Sequence, residues 1–183
     1  MKKIVLKTLG LAMLASLIFS CTNSLSLQQF IIEQQEKQDV ISFDLSSSLL
    51  TATEDLQSEE DIETLKSLKK INVLAYQIKD SSRTRYTDEI KHVKSLFKQD
   101  EYSELIRYGK GSQGAKVYLV GDDDKIDEIV VFANDQDLGW LLVRVLGNDM
   151  KPEKIMKLMQ KIDFDKRDFD LSKFKDILKK KQD

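Results

Sequence analysis

The stretch EYSELIRYGKGSQGAKVYLVGDDDKIDEIVVFANDQDLGWLLVRVLGNDM, residues 101–150, decides the fold. It holds four strand-like runs: Tyr102–Tyr108, Lys116–Val120, Glu128–Ala133 and Leu138–Leu146. β-branched and aromatic residues crowd each run, as a pleated, half-buried surface requires. The separators Gly109–Gly114, Gly121–Lys125 and Asn134–Asp137 are short and rich in Gly, Asp and Asn. Connections of that length join neighbouring strands only as hairpins, so the runs form an antiparallel meander. Gly147-Asn148 closes it.

Upstream, Leu27, Phe30, Ile31 and Gln34 recur at helical spacing over 26–37, and Ile41, Phe43 and Leu45 alternate with Ser42 and Asp44 in a short strand. Ser46-Ser47-Ser48 offers an N-cap for a turn at Leu49-Leu50. Ser58 and Asp61 approximate a capping box for a helix striped by Ile62, Leu65 and Leu68. A strand over 72–79 and a helix from about Thr87, with Ile90, Val93, Leu96 and Phe97 on one face, lead into the meander. Pro152 opens a helix striped by Ile155, Leu158, Met159 and Ile162, and Asp170 caps a last one with Leu171, Phe174 and Leu178 inward. Helices segregated from a meander predict an α+β fold: two layers, an antiparallel sheet, and helices packed mainly on one face. Residues 26–180 read as a single domain.

The meander strands carry apolar residues on both faces. Ile129, Val131 and Ala133 lie on one, Val130 and Phe132 on the other; Leu142 and Leu146 oppose Leu141, Val143 and Val145. One face is expected to pack against the helices of 58–70, 87–99 and 152–162. The other is covered by the helix at 26–37 with the C-terminal tail, or by a partner, because monomers rarely leave a large apolar patch bare. On the partner reading, Val130, Phe132 and Trp140 form the candidate interaction surface.

The N-terminus carries an address. Lys2, Lys3 and Lys7 precede an uncharged, mostly apolar run from Thr8 to Ser20. That run is too short to cross a bilayer, which takes roughly 20 residues, and suits the core of a secretory signal peptide. It ends Leu17-Ile18-Phe19-Ser20-Cys21 on the chain's single cysteine. This resembles a bacterial lipobox, with an aliphatic residue three before the cysteine and a small one just before it. The resemblance implies cleavage between Ser20 and Cys21 and a thioether-linked diacylglyceride on Cys21. A thiol is the nucleophile such a transfer needs, and two or three acyl chains hold where one anchors marginally. Residues 1–20 are then a signal peptide and 21–25 a lipidated leader. Thr22, where an Asp would signal retention at the inner membrane, implies the outer membrane, facing the periplasm.

The formal charge is −2; taking Lys2, Lys3 and Lys7 from the 29 basic side chains, against 31 acids, leaves the body at −5. Acid dominates 22–149 and base 150–183. A mildly acidic body argues against nucleic acid, whose phosphates demand clustered Lys and Arg. One Cys excludes a disulfide framework or a multi-cysteine zinc site, and one His, His92, excludes a His-rich metal centre.

The remaining motifs fail on their own chemistry. Gly109, Gly114 and Lys116 do not make a phosphate loop: Ala115 stands where Lys must follow the second Gly, and a strand follows where the anion needs a helix N-terminus. Asp122, Asp123, Asp124, Asp127 and Glu128 lack the calcium-loop pattern, with Asp127 at the glycine position and Ala133 at the final acid. They read as a solvated hairpin turn. His92 lies beside Lys91 and Lys94, off the apolar face of its helix, and is expected to face water. No Gly-x-Ser-x-Gly elbow occurs. Met150, Met156 and Met159 read as packing filler. No catalytic residue, metal ligand or cofactor is assigned.

Leu105-Ile106-Arg107, Ala115-Lys116-Val117-Tyr118-Leu119, Asp127-Glu128-Ile129-Val130-Val131-Phe132 and Leu142 to Gly147, followed by a helix, form a pattern. With Leu27-Gln28-Gln29-Phe30 and Ile41-Ser42-Phe43-Asp44-Leu45 upstream, it resembles the domain of unknown function 4252 family of Bacteroidota lipoproteins, over roughly residues 25–165. The resemblance implies a diderm envelope and carries over no activity and no functional residue. The leading functional expectation is a non-enzymatic lipoprotein that binds another envelope protein, its membrane contact being the lipid on Cys21. The alternatives are an envelope enzyme using two carboxylates, one with a raised pKa, and a carrier or sensor of a hydrophobic ligand, with a closed apolar cavity.

Overall fold

The computed structural model describes residues 26–46, 48, 58–79, 83–122 and 125–161. In chain order these form α1 (Leu27–Gln35), β1 (Val40–Ser46), α2 (Glu59–Ser67), β2 (Leu68–Gln77), α3 (Arg83–Leu96), β3 (Ser103–Lys110), β4 (Gln113–Asp122), β5 (Lys125–Asp135), β6 (Gly139–Met150) and α4 (Pro152–Lys161). The expected signal peptide over 1–20, Ser20, Cys21, the turn expected at Leu49-Leu50, Asp123-Asp124 and the helix expected from Asp170 lie outside the described residues.

The six strands make one antiparallel sheet in the order β1-β2-β6-β5-β4-β3. β3 to β6 form the hairpin meander, and β2 inserts against β6 with Val73 opposite Val143 and Tyr76 opposite Trp140. The α+β class with an antiparallel meander is the fold. β2 starts at Leu68, inside the span expected to be helical: Leu68 caps α2 in an extended conformation (ψ 141°) and is buried as the first residue of the strand. Two N-caps fix helix starts. Ser26 and Gln29 form a reciprocal capping box on α1, and the Ser58 hydroxyl accepts from Asp61 N on α2.

The helices divide two and two between the faces, in place of the one-sided arrangement expected. On one face α1 and α3 set Phe30, Ile31, Ile90, Val93 and Leu96 against Leu74, Tyr76, Tyr118, Val130, Phe132, Trp140 and Leu142. On the other, α2 and α4 set Leu65, Ile155 and Leu158 against Leu45, Ile71, Ile129 and Val145. The α1/α3 face is aromatic. Phe97, just past α3, stacks on Tyr118 with centroids 4.2 Å apart, and Trp140 lies 5.9 Å from Phe30 and 6.0 Å from Tyr76.

Candidate functional site

Val130, Phe132 and Trp140 are not an interaction surface. Val130 is fully buried, and Phe132 and Trp140 are 2% exposed. Val130 and Phe132 of β5 and Trp140 and Leu142 of β6 point toward α1 and α3, which cover them within the chain. Trp140 is pinned as well: its indole N–H donates to Glu89 Oε2 at 2.9 Å. Glu89, buried on α3, also accepts from Arg85 Nε at 2.8 Å and Lys37 Nζ at 3.3 Å. Arg85 reaches on to Asp39 and lies 4.9 Å over the Tyr76 ring. The hydrogen bond from Arg85 holds the Asp39 carboxyl below its ordinary range. This chain of charges ties α3 to the α1–β1 connection and to the sheet.

Glu89→Ala leaves the indole N–H without its acceptor and removes one carboxylate from Arg85. It is expected to destabilise the fold by about 2–4 kcal/mol. Urea unfolding checks it, with exposed Lys91→Ala as a control near zero.

A second polar group lies on the same face, where Asn72 and Arg144 sit opposite each other on β2 and β6. Arg144 Nη2 donates to Glu128 Oε2 at 2.6 Å, and Arg144 Nη1 donates to Gln28 of α1. Asn72 and Lys70 both donate to Asp44. Burial pushes the Asp44 carboxyl up, but these two donors outweigh it and hold it below its ordinary range. Nearby, burial pushes the Tyr102 hydroxyl well up.

His92 is half-buried, not in open water: its ring meets Phe30 edge-on at 5.5 Å, because α1 lies across the flank of α3. The Gly109–Gly114 segment is a hairpin: β3 and β4 pair through Lys110 opposite Gln113. Among the described residues no group of His, Cys, Asp and Glu side chains is arranged to hold a metal ion. No described helix is long and apolar enough to cross a membrane.

Among the described residues, two features stand out as open. One is a concavity of about 530 Å³ where the β3–β4 hairpin approaches α3, lined by Lys94, Arg107, Lys110 and Lys116 with Tyr118 and Phe132. Glu104 beside it accepts from Arg107 at 2.6 Å and Lys116 at 2.7 Å, and these bonds pull its carboxyl down to about 2. The other is β3, an edge strand exposed along its whole length. Leu105, Ile106 and Tyr108 are 51%, 46% and 79% exposed. Glu104, Arg107 and Lys110 interrupt that apolar strip, and a bulge between Glu104 and Ile106 bends the edge. These are devices that discourage indiscriminate edge pairing.

Residues 33–158 match the family described as Domain of unknown function (DUF4252). The chain belongs to the DUF4252 family. No curated protein and no solved structure matches it. The DUF4252 match begins in the last turn of α1 and runs to Leu158 in α4, so it includes both open features. Sequence reading missed β3 as the exposed strip. The signal was present in its weak alternation, but alternation does not say which strand ends at the edge of the sheet.

Proposed function

We propose that this DUF4252 protein is a non-enzymatic binding module of the cell envelope, anchored through lipid on Cys21 at the periplasmic side of the outer membrane. It docks another envelope protein along β3. The observation that carries the reading is the edge strand: an open row of backbone donors and acceptors flanked by exposed Leu105, Ile106 and Tyr108. A partner presenting an extended apolar segment gains main-chain hydrogen bonds from the edge and side-chain contacts from the strip.

Three carboxylates are unsuited to the general-acid role that the enzyme alternative requires. Asp39, Asp44 and Glu104 are all held on the low side by cations or amides, the opposite of what a general acid needs. The cation-lined concavity is likewise unlike the apolar enclosure of a lipid carrier.

Two experiments test the parts separately. Cys21→Ala is expected to abolish incorporation of radiolabelled palmitate in growing cells; undiminished label ends the anchoring claim. Ile106→Asp is expected to abolish recovery of the partner in a crosslinking pulldown from intact envelopes, while shifting stability by less than about 0.5 kcal/mol, as an exposed site should. Full recovery with Ile106→Asp refutes docking along β3.

A further inference from the structure

Among the described residues, the α2/α4 face of the sheet is half covered. Leu65, Ile155 and Leu158 close it where Leu45, Ile71, Ile129 and Val145 lie. Beyond them, Val117 and Leu119 of β4, Val131 of β5, and Leu141 and Val143 of β6 are only partly buried. They run continuously across three neighbouring strands to Ile106 and Tyr108 at the β3 edge, since Val117 pairs with Val131 and with Ile106, and Val131 with Val143. An apolar floor of that kind calls for an occupant.

We propose that residues 162–183 of this chain are the occupant and cover the floor in cis. The segment continues directly from α4, whose Ile155 and Leu158 already sit on this face, so it starts on the side of the sheet that holds the partly buried strip. It holds Phe164, Phe169, Leu171, Phe174, Ile177 and Leu178. Leu171, Phe174 and Leu178 recur at the spacing of one helical face, with Lys and Asp between them. Such a stripe needs an apolar surface, and the floor is the one nearest to its point of attachment.

Reach is ample. Strands lie about 4.8 Å apart, so the distance from β6 to β3 is ~14 Å. A helix over 162–183 would extend ~33 Å at 1.5 Å per residue. The cover does not depend on the docking at β3. It explains why docking would be confined there: with the floor occupied, the exposed large apolar side chains left on the described strands are Leu105, Ile106 and Tyr108 at the edge.

The test uses the full chain in intact cells, with a benzophenone amino acid in place of Phe174, an aromatic replacement that keeps the stripe. Irradiation is expected to give a crosslink within one chain, migrating as monomer and mapping to Val117, Val131 or Val143. A crosslink to a second copy, to another protein or to the α1/α3 side, or no crosslink, overturns the proposal. Phe174→Asp in the same full chain supplies a second reading. It is expected to raise binding of an apolar fluorescent dye severalfold as the floor is uncovered, and unchanged dye binding contradicts the cover. Loss of the partner with Ile106→Asp leaves both readouts as they are, so the two proposals fail separately.

Discussion

Val130→Asp is expected to leave the protein unfolded in the absence of stabilising osmolytes. Val130 is fully buried at the middle of β5, among Tyr118 across the strand pair and the aromatic side chains beneath α1 and α3. A carboxylate there has no water to meet, and Arg144, opposite it on β6, is already engaged by Glu128 and Gln28; burying it without a partner of its own costs more than about 4 kcal/mol, a large share of the 5–15 kcal/mol that holds a typical fold. Circular dichroism and urea titration check the outcome. The comparison with Ile106→Asp is the informative one. The same change in charge, on the same sheet, is expected to unfold the protein at Val130 and to leave it folded at Ile106. If Val130→Asp melted like the wild type, the α1/α3 face would not be the closed core described here.

Gly139→Ala has the second largest expected effect. Gly139 opens β6 with φ +134°, a conformation that side chains rarely adopt. A Cβ built there would stand 1.8 Å from the Tyr76 carbonyl oxygen on the adjacent strand. The backbone must shift, and Gly139 pairs with Gln77 beside the Tyr76–Trp140 pair, so the displacement reaches the aromatic core. A loss of about 3 kcal/mol or more is expected, from strain and separated strands together. Gly111→Ala is the control for space. Its φ is +60°, in the left-handed region, but nothing lies within 4 Å of its added Cβ, and the loss there should be about 1 kcal/mol. Equal losses at the two positions would show that close approach to Tyr76 is not what reserves position 139 for glycine.

The meander was legible because its information is local. Glu128–Ala133 and Leu138–Leu146 are apolar on both faces and separated by Asn134–Asp137, so adjacent pairing is the simplest solution, and β5 and β6 pair in that way. The insertion of β2 against β6 was not legible, since Val73 and Val143 pair across one helix and three other strands of intervening chain. The helix stripes showed which residues are inward without showing which side of the sheet they meet. Ile90 and Ile155 belong to equally good stripes, yet α3 and α4 lie on opposite faces. That partition decides the fate of Val130, Phe132 and Trp140: residues that alternation leaves on a second apolar face become core once α1 and α3 both settle there. The Glu89–Trp140 bond was likewise hidden, as a lone Glu on a charged helix gives no sign that it faces inward.

Trp140 offers the most direct measurement of the central claim, that the α1/α3 face is this chain's own core and that docking belongs at β3. It is the single tryptophan in the sequence, so its fluorescence reports one site. The account predicts emission blue-shifted from free indole in water and weak quenching by acrylamide in the isolated protein, both lost together in one transition on unfolding. Emission at the position of free indole, with ready quenching in the folded protein, would put Trp140 at the surface and contradict the account.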